Sequence, residues 1–309
     1  MSPSPTNLEV PVGTEVTGGD AEAGSRGADF LALTKPRLNF LVVVTALAGY
    51  YLGIGPDAPV STLVHTLVGT ALVAGGSSAL NQVWERHSDG LMRRTRLRPL
   101  PDLRLHPRGA LVFGLVLSTA GLVDLWLGVG WLTAAVALLT LLSYVIFYTP
   151  LKTRTSLSTI VGAVPGALPA VIGWVAATGT LSIEAWVLFA IVFMWQMPHF
   201  LAIAWLYRDD YAQAGIRLLP VIEPDGRSTG RQAVLYAAAL VPVSLLPTMV
   251  GLADANYLVG ALVLGAVVLW LSVEFAATLT MTAARRLFLA TIIYLPVLWI
   301  VLLWDHFSR

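Results

Sequence analysis

Ala185–Tyr207 reads AWVLFAIVFMWQMPHFLAIAWLY, 23 residues without Asp, Glu, Lys or Arg, closed at once by Arg208-Asp209-Asp210. A helix needs about 20 apolar residues to cross about 30 Å of hydrocarbon, and this stretch is long enough. Charge-free windows recur at Leu38–Pro56, Ala58–Trp84, Gly109–Val123, Leu125–Leu151, Thr155–Ile183, Gln232–Ala253, Ala255–Val273 and Leu287–Trp304. Gly109–Val123 is short and gains length with Asp124 at the water interface. Ala255–Val273 continues past Glu274 to Ala284. The reading is an all-α polytopic membrane protein, a bundle of nine transmembrane helices.

Composition agrees. Charged residues make up 12% of the 309 positions, against about 25% in soluble chains, while mean hydropathy is +0.75. A surface so poor in charge does not stay dissolved in water. The absence of cysteine excludes disulfides, thiolate metal sites and a Cys nucleophile. A net charge of +1 points to no nucleic acid.

The basic residues are placed rather than abundant. Of 19 Lys and Arg, all but Arg309 fall before the first window or in alternate inter-span loops, and so on one face. By the positive-inside rule that face is cytoplasmic, with the N-terminus on it. The expected location is the cell (inner or plasma) membrane. Residues 1–29, rich in Pro, Gly, Ser, Thr and acids, read as a disordered cytoplasmic tail. Residues 30–309 read as a single membrane domain, with the longest polar loops at 85–108 and 208–231.

In the first loop, Asn81, Glu85 and Asp89 are spaced i, i+4, i+8, one stripe on a helix with about 6 Å per step. Two carboxylates near a helix C-terminus oppose its dipole, so a cation should compensate. Neighbouring arginines, among them Arg93 and Arg94, are one candidate. A divalent metal is the other: Mg²⁺ takes one or two carboxylates and completes its shell with water and substrate phosphates. The second loop sets Asp209 and Asp210 at another helix end beside Arg208 and Arg217. Two such clusters on one face suggest a shared metal–diphosphate site. Tyr148-Thr-Pro-Leu-Lys152-Thr-Arg154 adds a cation at i+4 from a phenol, or simple interfacial anchors. Within the membrane, Gln196, Pro198 and His199 interrupt an apolar span. Polar groups there are costly and mark a site by default, although a lone His also serves as hydrogen-bonded structure. His65 and His306 show no partner in the sequence, and Glu274 is either paired or interfacial.

The blocks Leu33-Thr-Lys-Pro-Arg-Leu-Asn39, Asn81-Gln…Glu85…Asp89, Met92-Arg-Arg-Thr-Arg-Leu-Arg-Pro-Leu-Pro101, Tyr148-Thr-Pro-Leu-Lys152, Val161-Gly-Ala-Val-Pro-Gly-Ala-Leu-Pro169, Trp195-Gln-Met-Pro-His-Phe200 and Asp209-Asp-Tyr-Ala-Gln-Ala-Gly215 occur in this order. Together they resemble the heme-farnesylating branch of the UbiA-type intramembrane prenyltransferase superfamily, over about residues 30–304. The resemblance implies a nine-helix bundle with a central cavity and cytoplasmic cap loops. It also implies transfer from farnesyl diphosphate to a vinyl group of heme b, with addition of water, giving heme O. Asn81, Glu85, Asp89, Asp209 and Asp210 are then the catalytic set, with Mg²⁺ on Glu85, Asp89 and Asp210. Arg93, Tyr148, Lys152 and Arg154 would bind diphosphate, and His199 and Gln196 would bind heme. Farnesyl diphosphate, heme b and the lipid bilayer are the implied partners, with a heme A synthase or oxidase-assembly factor as candidate protein partners.

Two departures stand out. Glu85 replaces an aspartate common in the superfamily. Asp209-Asp210 is followed four residues on by Gln213 and Ala214, so the usual i, i+4 aspartate pair is missing and one Mg²⁺ is the safer expectation. Two competing readings remain. One is a prenyltransferase acting on a phenolic quinone precursor, which has no use for His199. The other is a transporter, whose broken helices look similar but which has no need of acidic stripes confined to one face.

Overall fold

The computed structural model describes residues 26–54 and 59–308, which are helical throughout apart from connecting turns. In chain order the elements are α1 (Arg26–Leu33), α2 (Pro36–Ile54), α3 (Val60–Leu91), α4 (Pro107–Gly128) and α5 (Trp131–Leu142). A π-helical turn (Ser143–Tyr148) leads from α5 into α6 (Thr149–Leu151). There follow α7 (Ser158–Thr178), α8 (Ile183–Leu206), α9 (Arg208–Gln213), α10 (Leu219–Ile222), α11 (Arg227–Met249), α12 (Ala255–Thr278) and α13 (Met281–Phe307). Eight segments are long and apolar enough to cross a membrane unaided, and α1 with α2, bent by 46° at their junction, supply the ninth.

Lipid tails are as apolar as leucine, so close packing rather than exclusion from water holds such helices together. Small residues provide it. A Cβ added to Gly173 of α7 would strike the Ala46 carbonyl of α2, and one on Gly49 would strike the Ala170 carbonyl. Gly76 of α3 likewise lies against Gly114 and Ser118 of α4. The helix α7 is the most enclosed span, packed on α2, α5 and α8, while α13 closes the bundle against α8, α12 and α2. Phe40, Leu127, Trp131, Trp270 and Ile300 face outward, as a lipid-facing surface requires.

The connections after α1, α3, α6, α8 and α12 lie at one end, and the basic residues of the described chain fall in them or in the adjoining helix turns. At that end Asp29 pairs with Arg104. At the other end the Phe307 ring meets Tyr51 at 6.3 Å, and His306 Nδ1 lies 3.0 Å from the Leu252 carbonyl. The two ends of the described chain therefore lie at opposite ends of the bundle.

The expected boundaries need four corrections. The third span does not stop at Asp124: α4 runs on to Gly128, because His65 Nδ1 meets Asp124 Oδ1 at 2.8 Å and allows the carboxylate to stay on the helix. The break falls instead at Val129–Gly130, and the fourth span starts at Trp131 rather than Leu125. Near Glu274, α12 ends at Thr278 with Leu279 in the left-handed region (φ 49°), so Arg285 and Arg286 sit inside α13. Of the expected tail 1–29, residues 1–25 lie outside the described residues, whereas Arg26–Asp29 open α1.

Candidate active site

At the basic end of α3 the stripe forms as its spacing predicts, and it faces inward. Asn81 is fully buried, Asp89 is 1% exposed, and Glu85 is nearly enclosed. Each has a partner from a different element. Lys35 Nζ, in the junction between α1 and α2, donates to Asn81 Oδ1 at 3.2 Å. Asn81 Nδ2 donates to Thr149 Oγ1 at 3.1 Å. Lys152 Nζ lies 2.7 Å from Glu85 Oε1 and 4.5 Å from the centroid of the Tyr148 ring. Arg98 Nη1 donates to Asp89 Oδ2 at 2.8 Å, and Thr95 Oγ1 donates to the Asp89 carbonyl, capping the turn.

The cation that the helix dipole calls for is therefore present, but Arg93 and Arg94 do not supply it. Arg93 is exposed. Arg94 lies over the rings of Tyr207 and Tyr211, at 4.9 and 5.7 Å, and donates to the Tyr211 hydroxyl at 3.2 Å. The partners Arg98, Lys152 and Lys35 come from turns 9, 67 and 46 or more residues away in sequence. Lys35 and Arg98 are site residues to which the sequence assigns no role. The signal for Lys35 was a lysine directly ahead of Pro36 at the mouth of a span. Burial pulls Lys152 down, but the neighbouring Tyr148 and Glu85 more than offset it and hold the ammonium above lysine's ordinary value.

The π-helical turn serves this arrangement. It brings Tyr148 onto Gly162 of α7, where a Cβ would collide with the ring, and Tyr148 in turn lies beneath Lys152. Turns of this kind are frequent at functional sites. A cavity of about 330 Å³ opens here, lined by Glu85, His87, Ser88, Thr149, Lys152 and Ile216 among others.

The second acidic segment is a neighbour rather than a member of this cluster. Its loop docks on the first: the Arg217 amide donates to the Lys152 carbonyl at 2.8 Å, and Met92 packs with Ala214 and Ile216. Asp210 is half-buried, while the Asp209 side chain is 90% exposed, with Arg208 Nε at 3.8 Å. Arg154 is exposed on the connection before α7. Among the described residues no three Asp, Glu or His side chains converge as a ready metal cage. The expected grouping of Glu85, Asp89 and Asp210 is thus not assembled here.

Within the membrane, Gln196 is buried in the contact of α8 with α7, its Nε2 donating to the carbonyls of Ala163 (3.2 Å) and Val192 (3.1 Å). His199 turns to α13, with Nδ1 2.9 Å from Thr291 Oγ1. It stacks on Trp195 and Phe288 at centroid distances of 5.3 and 5.1 Å. Elsewhere Glu274 pairs with Arg286 at 2.7 Å, and His106 caps α4 by accepting from the Arg108 amide.

The basic mouth of the bundle thus sets buried carboxylates against cations drawn from other segments of the chain. Residues 42–303 match the UbiA prenyltransferase family, and the chain belongs to that family of membrane enzymes. Within it, the chain is 49% identical over 288 residues to the protoheme IX farnesyltransferase of Solibacter usitatus, spanning 90% of this chain and 98% of that one. It is 47% identical to the protein of the same name in Myxococcus xanthus, over 91% of this chain and 96% of the other. Among solved structures, the fold is similar to that of a digeranylgeranylglyceryl phosphate synthase, with a TM-score of 0.78 at 14% identity over 92% of this chain and 99% of that one. It is also similar to a UbiA homolog from Archaeoglobus fulgidus bound to GPP and Mg²⁺, with a TM-score of 0.64 at 15% identity over 89% and 99% of the two chains.

Proposed function

We propose that this prenyltransferase moves the farnesyl group of farnesyl diphosphate onto a vinyl group of heme b, with water added, to give heme O. The observation that carries the reading is the 49% identity, across 90% of the chain, to a protein named for protoheme farnesylation.

The mouth supports the diphosphate half of the reaction. Asn81, Glu85 and Asp89 offer only oxygen and amide groups, a donor set that suits Mg²⁺. Glu85 and Asp89 would hold the ion, with half-buried Asp210 the candidate to join from the second loop. Bound there, Mg²⁺ would neutralise the diphosphate and make it a better leaving group. Charge balance favours this: Lys152 and Arg98 answer the two carboxylates one for one, with the Lys35 amine beside Asn81, so the mouth turns positive once the carboxylates are claimed by metal. Arg93 and Arg154, exposed at the rim, extend the basic field toward an incoming diphosphate.

In the reaction the bond between the allylic carbon and the diphosphate oxygen breaks, and its electron pair leaves with the diphosphate. The buried ammonium and guanidinium groups meet that growing negative charge in a site with little water. The vinyl group attacks the allylic carbon, and water takes up the resulting cation beside the porphyrin, releasing a proton to solvent. The apolar bundle keeps other water from the allylic cation. A basic mouth on the cytoplasmic face of the cell membrane follows from the positive-inside rule, and a heme A synthase or oxidase-assembly factor is the expected consumer of the product.

Membranes containing the chain, given heme b, farnesyl diphosphate and Mg²⁺, should form a heme heavier by one farnesyl group and one water. A prenylated phenol formed in preference to that product would move the assignment to the quinone-precursor reading. Reporters fused after Arg98 and Arg217 should both read cytoplasmic, and one at Gly179 external.

A further inference from the structure

Deep in the bundle, α8 and α13 meet around one threonine. Thr291 is fully buried. Its carbonyl accepts from Trp195 Nε1 at 2.6 Å, and its hydroxyl lies 2.9 Å from His199 Nδ1. The same hydroxyl donates to the Phe288 carbonyl at 2.7 Å. A threonine hydroxyl has a single proton to give. Where that proton goes to Phe288, the oxygen meets the imidazole as an acceptor and His199 Nδ1 carries hydrogen. No carboxylate among the described residues pairs with this ring, which lies against Trp195 and Phe288, and a neutral imidazole is the form such surroundings favour. Nε2 then keeps its lone pair, and among the described residues no hydrogen bond uses it.

That distinction selects among the ways a histidine can meet a heme. A propionate would need an N–H from Nε2, which this tautomer lacks. A neutral imidazole whose far nitrogen is tied to a hydrogen-bond acceptor is the arrangement found at histidine-ligated metals, where the second partner fixes the ring and its tautomer.

We propose that Thr291 is a positioning residue for a heme-iron contact: it fixes the His199 tautomer so that Nε2 serves the substrate heme as a neutral axial ligand. This rests on the heme reading above and adds the atom and its orienting partner. Trp195 and Phe288 set the plane of the ring, and the Trp195 bond to the Thr291 carbonyl locks the two helices in register.

The test is made on the full-length chain in lipid nanodiscs. With ¹⁵N-labelled histidine and no heme, His199 should show the Nδ1–H tautomer; an Nε2–H tautomer overturns the proposal without need of any variant. Titrated with ferric heme b, the wild type should give the absorption and EPR signature of a nitrogen axial ligand, lost in His199→Ala. Thr291→Val should weaken heme binding about tenfold or more and shift the Soret band, while Thr291→Ser restores both. Wild-type affinity and spectrum in Thr291→Val, or a ligand signature that survives His199→Ala, overturns the assignment. Heme O formation is measured in the same preparations. Ligation through His199 with no product from farnesyl diphosphate upholds this site and rejects the farnesylation reading instead.

Discussion

The two acidic segments at the basic end look alike in sequence and have opposite surroundings. Glu85 and Asp89 close α3, a helix of 32 residues whose last turns remain inside the bundle. Asp209 and Asp210 open α9, which has six residues and none buried. Asp89 is 1% exposed and Asp209 is 90% exposed. A carboxylate removed from water needs a partner, and each buried acid has a cation within 2.8 Å. The nearest cation to Asp209 is 3.8 Å away in water, where such pairs contribute little. Similar clusters of acids therefore make unequal claims: the enclosed pair is held against buried cations, and the outer pair opens a short helix beside it.

Substitutions at the enclosed pair should have the largest effect. Glu85→Gln or Asp89→Asn keeps shape and removes charge, and turnover should fall by about 10²-fold or more, the usual loss when a group aimed at transition-state charge is removed. Near-normal turnover at limiting Mg²⁺ in both would erase the contrast between the segments. Arg98→Gln leaves Asp89 buried without its cation, and thermal unfolding should report a loss on the order of 3 kcal/mol. Lys35→Met should raise KM for farnesyl diphosphate roughly tenfold, in keeping with loss of one charge-assisted hydrogen bond, and Lys35→Arg should recover part of it. Asp209→Asn should change turnover by less than about fivefold, the range of an exposed ion pair. A larger loss there than at Asp89 would invert the comparison.

Most of the bundle was legible because charge-free length is a one-dimensional signal. The misplaced boundaries are instructive. The window that ends before Asp124 gains length as expected, but α4 runs past it to Gly128, with His65, 59 residues away, beside the carboxylate. The true break at Val129–Gly130 carries no charge to announce it. In the site, the stripe of Asn81, Glu85 and Asp89 followed from helical period alone. Its cations did not, because seven basic residues in the first loop were equally eligible by sequence and only folding selects Arg98. Lys35 and Thr291 were invisible for a similar reason. Each acquires its meaning from a partner that packing brings in from another helix, 46 residues away for Lys35 and 92 for Thr291.

The π-helical turn at Ser143–Tyr148 has a consequence for how tolerant this chain is to change in length. Such a turn amounts to one residue more than an α-helix would use over the same rise. Each residue of an α-helix advances the azimuth by about 100°. Deleting a single position from this turn would let α5 run straight into α6 with Tyr148 and Lys152 still turned toward Glu85, whereas straightening the turn at full length would swing them away by about that angle. The span would remain long enough for the bilayer, and its hydropathy would hardly change. A one-residue deletion here would thus leave the aromatic–lysine pair facing the carboxylate, whereas the same deletion elsewhere in the span would turn the pair away, making this turn the place where the span tolerates a change in length.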